Sequence, residues 1–232
     1  MIGEARSAAW FSRPRLVALA IAALLATGVH ARQQSEWVSL FDGKTIAHWR
    51  GFKEKGVPAG WKVVDRAITR VAEGVDLVSL EQYADFEFEF EWKVPPGGNS
   101  GVMFHVTEAL EQTYHSGPEF QILDNARHED GKNPLTTAAS SHSIAAPNHD
   151  MTKPVGEWNQ SKLLVKGPHV EHWLNGMKVV EYELWSPEWK AKVKASKFNQ
   201  WPEYGMQKTG HLVLQNHGDH VQFRNLRVRR LQ

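Results

Sequence analysis

An all-β sandwich or barrel is the fold class the sequence predicts, on three observations. Between Trp37 and Arg229, short runs with period-two alternation follow one another at close spacing. Turn signals punctuate them, the clearest being Asn175-Gly176 between two alternating runs. Only one stretch, from Ser186, carries the start signals of a helix. Many short strands with one late helix is the pattern of sandwiches and barrels.

Taken in order, Trp37 to Phe41 alternates and ends in the turn signal Asp42-Gly43-Lys44. Trp61 to Asp65 and Ala67 to Arg70 read as a hairpin, and Leu77 to Ser79 as a short strand. The run from Phe86 to Lys93 has a strict period of two. Phe86, Phe88, Phe90 and Trp92 share one face, which must be buried. Glu87, Glu89 and Glu91 share the other, which meets water or a cleft. A break at Pro95 to Ser100 follows, and a strand resumes over Gly101 to Thr107. Its alternation places Val102, Phe104 and Val106 on one side and Gly101, Met103 and His105 on the other.

After Gly117-Pro118, the segment Glu119 to Asp124 is a strand with Glu119, Gln121 and Leu123 on a common face. Residues 125 to about 155 are polar and read as a long ordered loop, a kind of segment that is usually functional or disordered. Asn159 to Lys166 is a strand, and Val170 to Val180 is the Asn-Gly hairpin. Ser186 is a good N-cap, Pro187 suits the first helical position and Glu188 complements the dipole, so a helix runs to about Lys197. Strands at His211 to Asn216 and Val221 to Arg229 close the chain. In the second, the apolar spacing shifts near Arg224-Asn225, which predicts a bulge.

The bulk numbers narrow the function classes. There are 27 Lys and Arg against 26 Asp and Glu, a formal charge of +1, so there is no electrostatic footprint for nucleic acid. No cysteine is present, which removes disulfides, zinc-thiolate sites and cysteine nucleophiles together. Ten tryptophans are many for 232 residues; indoles serve sugar rings, but they are also good core material. Arg13 and Arg15 precede an apolar run from Leu16 to Leu25, and Val29 and Ala31 stand at the −3 and −1 positions of a cleavage site. Residues 1–31 therefore read as a secretory signal, with a single domain over 32–232 that is periplasmic or secreted. The run is too short to span a bilayer.

Carboxylates come first among the candidate reactive groups. Three like charges on the Glu87, Glu89 and Glu91 face are mostly a solvated surface, and Glu91, beside the Gly-Gly-Asn-Ser break, is the one placed for a cleft rim. Glu119 and Gln121 project together from one sheet face, where such a pair can hold a sugar hydroxyl, a metal or a water; the plainer reading is cross-strand hydrogen bonding. Asp124 opens the long loop, and its commoner job is to cap a turn. The histidines His105, His115, His128, His142, His149, His172, His211, His217 and His220 are scattered, none at zincin helix spacing. His105 falls on the face that would neighbour Glu119, and His217 lies at a strand end in Gln215-Asn216-His217-Gly218-Asp219.

Six segments together resemble a known family. They are Ser39 to Thr45 with Trp49; Gly98-Asn99-Ser100-Gly101; Gly117 to Asn125; Gly156 to Asn159; His172 to Gly176; and Leu214 to Gly218 with Phe223-Arg224-Asn225. In that order they look like the 3-keto-disaccharide hydrolase family, also described as 3-keto-glucoside 1,2-lyase and 2-hydroxy-glucal hydratase. The resemblance runs from about Trp37 to Leu231. The chain departs from the family pattern at Phe104-His105, at Ser141 to Ile144 and at Asn216.

The resemblance implies a concanavalin A-like jelly roll of two curved antiparallel sheets, and sugars already oxidised at C3 as substrates. A ketone at C3 acidifies the hydrogen on C2. One base can take that proton, the enolate can expel the C1 substituent, and water can add back. Such a site needs a base near C2 and positive charge or donors at the C3 oxygen, a role open to a divalent metal, for which the spacing names no ligand set. On this reading Glu119 or His217 is the base and Gln121 and His105 hold substrate or an ion. Asn99, Asp124 and Glu91 stand behind them or on the rim. The alternative is a lectin-like module that binds carbohydrate without turnover. Oligomeric state is not legible.

Overall fold

The alternation of Phe86 to Lys93 builds the centre of the protein. In the computed structural model, which describes residues 35–232, this run is strand β6 (Phe86–Lys93), and Phe86, Phe88, Phe90 and Trp92 are each at most 1% exposed. The signal segment expected at residues 1–31 lies outside the described residues. The remaining strands are β1 (Val38–Ser39), β2 (Trp49–Gly51), β3 (Trp61–Val64), β4 (Ala67–Arg70), β5 (Leu77–Tyr83), β7 (Asn99–Val106), β8 (Glu119–Leu123), β9 (Asn159–Lys166), β10 (His169–Leu174), β11 (Met177–Glu183), β12 (Gly210–Leu214) and β13 (Gln222–Arg230). Every pairing is antiparallel. The larger sheet runs β11-β10-β9-β6-β13-β4-β3, with β1 also on β13, and the smaller runs β2-β5-β12-β7-β8.

The two inner faces meet through aromatic rings. Phe90 of the larger sheet stands edge-on to Phe120 of the smaller at 5.3 Å between centroids, and Phe88 stacks on Phe90 at 5.1 Å. Such ring pairs add about 0.5–1.5 kcal/mol beyond the area they bury. His172 lies inside this layer, fully buried, stacked on Phe120 at 4.8 Å with Nδ1 2.9 Å from the Ala139 carbonyl. The outward glutamates of β6 do not stand alone. Glu87, Glu89 and Glu91 each pair with an arginine on β13, namely Arg229, Arg227 and Arg224. Strand pairing thus cancels a charge repulsion that the sequence shows only on one strand.

Local turn chemistry holds as expected. Asn175 and Gly176 both have positive φ, as do Asp65 and Arg66 between β3 and β4, which is the conformation two-residue hairpins require. Helix α1 (Pro187–Ala195) starts at Ser186, whose Oγ accepts from the Trp189 amide at 3.1 Å. It ends two residues short of Lys197, where a 3-10 turn (Lys197–Gln200) takes over. The bulge expected near Asn225 is present: the β13–β6 register shifts between Arg224 and Arg227, and Asn225 has φ 52°.

A second bulge was not anticipated. Phe104 and His105 together oppose Leu212, because the β12–β7 register passes from Val213↔Met103 to His211↔Val106. His105 takes φ 53°. The extra residue flips the alternation, so Val106 joins Met103 on the outer side and His105 turns toward the core. Nine tryptophans lie among the described residues; Trp49, Trp61, Trp92 and Trp189 are buried, and Trp37, Trp158, Trp173, Trp185 and Trp201 are half-buried. No helix among the described residues is long and apolar enough to cross a membrane.

Candidate active site

The outer face of the five-stranded sheet carries a cluster of polar groups with few partners. Strand β8 supplies its first members. Phe120 and Ile122 point into the core, so Glu119 and Gln121 project from the opposite face. Register places Glu119 opposite Met103 and Gln121 opposite Gly101. Gly101 has no side chain, and the Glu119 carboxyl leans over it: a Cβ at position 101 would lie 2.1 Å from Oε1.

The long loop closes the free edge of β8. Ser141 bridges Phe120, the Gln121 amide donates to the Ser140 carbonyl at 3.1 Å, and the His142 amide donates to the Glu119 carbonyl at 3.0 Å. This pairing sets His142 beside Glu119 and Ser140 beside Gln121, on the same face. The end of β12 completes the floor, since the Gln215 amide bonds to the Gly101 carbonyl at 2.9 Å. The turn that follows is tied at two points: the Asn216 amide donates to Asp76 Oδ1 at 2.7 Å, and Asp219 Oδ2 accepts from the Asn99 amide at 3.0 Å. Between these anchors His217 is exposed. Its ring centroid is 6.5 Å from that of His128.

Electrostatics single out Glu119. It is 5% exposed, and its carboxyl makes no hydrogen bond with any described residue. Burial pushes its pKa up to about 8; Lys197 opposes that shift and the carboxylates of Asp76 and Asp130 add to it. Burial likewise raises Asp76, against hydrogen bonds from the Thr113 hydroxyl and the Asn216 amide and the field of His217. His142 is driven down to about 4, first by burial and then by Lys197, so it is neutral near pH 7. Around these groups Asn99 Oδ1, Gln121 Oε1, Ser140 Oγ, His142 Nδ1 and Gln215 Oε1 are buried without a hydrogen-bond partner among the described residues. Buried polar atoms normally find one. A concentration of unsatisfied acceptors and donors on one face suits a ligand rich in hydroxyls.

Of the residues singled out from the sequence, Glu119, Gln121, Asn99 and His217 come together here. Asn99 Nδ2 lies 3.4 Å from His128 Nε2 and 3.5 Å from Asp130 Oδ2. The expected placement of His105 is corrected: the bulge turns it from the Glu119 face onto Phe86 and Phe104, with Nε2 2.8 Å from the Ala84 carbonyl. Glu91 lies on the outer face of the other sheet, bonded by Arg224 and Asn225, on the opposite surface of the sandwich. Asp124 accepts from the Gly97 and Ala126 amides at 2.8 and 3.1 Å, the work of a turn cap. Asp76, Asp130, His128, His142, Lys197 and Gln215 also join the cluster. They sit in loops or at strand ends, where no periodicity marks a face; the length and polarity of residues 125 to 155 was the available signal for three of them.

Among the described residues, one trio brings potential metal-ligand atoms within 4.8 Å of one another: His169, Glu171 and Glu181. It lies on β10 and β11, across the sandwich from Glu119. Lys178 pairs with both carboxylates, Glu171 at 3.1 Å and Glu181 at 2.5 Å, so a cation already occupies the role of counter-charge.

Two antiparallel sheets packed on one aromatic core, with a cluster of buried polar groups on an outer sheet face, define a jelly-roll sandwich of the glycosyl-hydrolase and galectin-like type. The chain belongs to the 3-keto-alpha-glucoside-1,2-lyase-like domain family, which matches residues 36–229. It is 36% identical over 225 residues to the 3-keto-disaccharide hydrolase of Bacteroides thetaiotaomicron, spanning 83% of this chain and 78% of that protein. A crystal structure from Parabacteroides distasonis, provisionally named a glycosyl hydrolase, superposes with a TM-score of 0.79 at 33% identity, over 84% of this chain and 94% of that one. A Bacillus subtilis protein with a galectin-like fold shares the architecture alone, with a TM-score of 0.51 and 14% identity over 79% of this chain and 90% of that one.

Proposed function

We propose that this chain hydrolyses 3-keto-disaccharides and related 3-keto-glycosides by elimination and rehydration, with Glu119 as the base. The observation that carries the reading is the Glu119 carboxyl: buried, without a hydrogen bond from any described residue, and with its pKa at about 8. A base works best when its pKa lies near the working pH. An ordinary glycosidase needs two carboxylates flanking the bond it breaks; a 3-keto-sugar needs one base at C2. The family and the named activity of the Bacteroides thetaiotaomicron relative support the same substrate class.

In the proposed sequence the Glu119 carboxylate takes the C2 proton, and the electron pair of that bond moves toward the C3 oxygen. The resulting enolate expels the C1 oxygen substituent, which leaves with a proton. Water then adds across the C1–C2 double bond, hydroxyl to C1 and hydrogen to C2. The amide groups of Gln121, Gln215 and Asn99 hold the sugar hydroxyls. The Lys197 ammonium supplies positive field as charge grows on the C3 oxygen. His217, exposed on the anchored turn, protonates the departing oxygen. The secretory signal read at the N-terminus supports placing this activity outside the cytoplasm.

The test is turnover of a 3-keto-glucoside by Glu119→Gln, with substrate binding followed separately and with a chelator arm. A drop of about 10²-fold or more in kcat, with binding retained, is the expected result for loss of a general base. Unchanged turnover removes Glu119 from the chemistry. Binding of the sugar by the wild-type protein with no turnover at all returns the chain to the lectin-like class.

A further inference from the structure

The outer face of the eight-stranded sheet, across the sandwich from Glu119, carries a groove of about 750 Å³ that the proposed reaction does not use. Strand register lays one straight row of side chains along its floor: Trp173 opposes Lys162, Lys162 opposes Glu89, Glu89 opposes Arg227, and Arg227 opposes Ser39. Trp37, two residues before Ser39, closes the far end. Four strand spacings separate Trp173 from Ser39, a span of about 19 Å.

Both indoles are half-buried. Cations hold them in place: Lys162 Nζ lies 4.1 Å from the Trp173 ring centre, and the Arg227 and Arg229 guanidinium carbons lie 4.7 and 4.9 Å from that of Trp37. The floor between them is polar, and both of its carboxylates are already paired, while Lys162 stands against Trp173. Glu89 pairs with Arg227, and Glu91 pairs with Arg224 while also accepting from Asn225 and Gln160.

We propose that this groove is a second, non-catalytic carbohydrate site that binds a neutral oligosaccharide chain. Each feature selects for that chemistry. The indole face that the cation does not cover takes the apolar C–H face of a pyranose ring. Paired carboxylates, guanidinium groups and the Gln160 amide offer hydroxyls both acceptors and donors. With Glu89 and Glu91 set against Lys162 and Arg227, the lining carries no net charge to attract a polyanion such as nucleic acid or an acidic glycan. The polar floor is wrong for an acyl chain, and the length suits several linked sugars better than one. The inference does not depend on Glu119 being the base. On that reading an enzyme for small keto-sugars is held close to longer glycans while it acts.

The experiment titrates the purified protein with cellotetraose, maltotetraose and laminaritetraose, following tryptophan fluorescence and calorimetric heat. At least one tetrasaccharide binds saturably. Trp173→Ala and Trp37→Ala each weaken that binding at least tenfold and leave turnover of a 3-keto-glucoside unchanged, while Glu119→Gln leaves the binding intact. Lys162→Ala, an exposed-side change that spares the core, serves as the second test should near-ultraviolet circular dichroism show either tryptophan variant misfolded; it too weakens binding. Three results overturn the proposal: no tetrasaccharide binds; binding persists in the tryptophan and lysine variants; or binding disappears in Glu119→Gln, which would put the glycan in the cleft of the other sheet. Sedimentation showing that Trp173→Ala abolishes a dimer would assign the groove to self-association and equally end the carbohydrate reading.

Discussion

The carboxyl of Glu119 occupies the space that a side chain at position 101 would fill. A Cβ on Gly101 would stand 2.1 Å from Glu119 Oε1 and 2.8 Å from its carboxyl carbon. The glycine in β7 is therefore the complement of the glutamate in β8, one cross-strand pair away.

Gly101→Ala should displace the Glu119 carboxyl without unfolding the sheet. Overpacking of a tight site costs about 1–3 kcal/mol. The expected outcome is a modest fall in melting temperature and at least a tenfold loss of kcat on a 3-keto-glucoside. Full activity in this variant would show that the carboxyl need not sit over position 101.

The proposed role of Glu119 as base sets an expected pH dependence of activity. With a pKa near 8, set by burial, the carboxylate fraction grows as pH rises toward that value. A plot of log(kcat/KM) against pH should climb with unit slope on its acid limb and bend near pH 8. A limb that bends near 4.5 would point to an ordinary, solvated carboxyl.

The same group sets a stability trend of opposite sign. Its pKa is raised on folding, so between the usual value of 4.5 and about 8 the folded state holds more proton than the unfolded state. Stability then falls as pH rises through that window, with a slope approaching about 1.4 kcal/mol per pH unit for one proton. Glu119→Gln should match wild type below pH 4.5 and become the more stable protein above pH 8, read by denaturant melts at both ends.

Buried imidazoles act on the acid side. His142 and His172 are both brought down to about 4 by burial. Here the unfolded state binds more proton between 6.5 and 4, so stability is fully present above 6.5 and is lost as pH falls toward 4. Replacing His172 with Phe, which keeps the ring on Phe120, should flatten that acid limb by about one proton's worth. An unchanged limb would mean that His172 is not buried as a neutral ring.

Asp124 is expected to matter through the loop and not through the chemistry. Asp124→Ala removes the acceptor for the Gly97 and Ala126 amides. A loss of about 1–2 kcal/mol is expected, with faster hydrogen exchange at Gly97. A variant of wild-type stability would refute the capping role.

Much of the architecture could be read from one strand at a time. Strict alternation in Phe86 to Lys93 placed four aromatic side chains in the core, because a period of two divides a strand into two faces wherever it lies. Asn175-Gly176, Ser186-Pro187 and the apolar slip at Asn225 likewise carried their local geometry in their own backbone preferences. Glu119 and Gln121 were legible as neighbours for the same reason.

What only the tertiary structure decided is which faces meet and which oppose. Glu91 and Glu119 both project from strands beside glycine-bearing turns, yet they lie on opposite surfaces, since their strands belong to different sheets. His105 left the cleft through a bulge that depends on pairing with β12, where a Cβ on Gly210 would come within 2.4 Å of the His105 backbone. His142, Asp76 and Lys197 reached Glu119 from loops with no period to read. The sequence by itself determined the strands, their buried faces and the chemical types available; long-range pairing chose their partners, because a face acquires a neighbour only when a distant segment closes upon it.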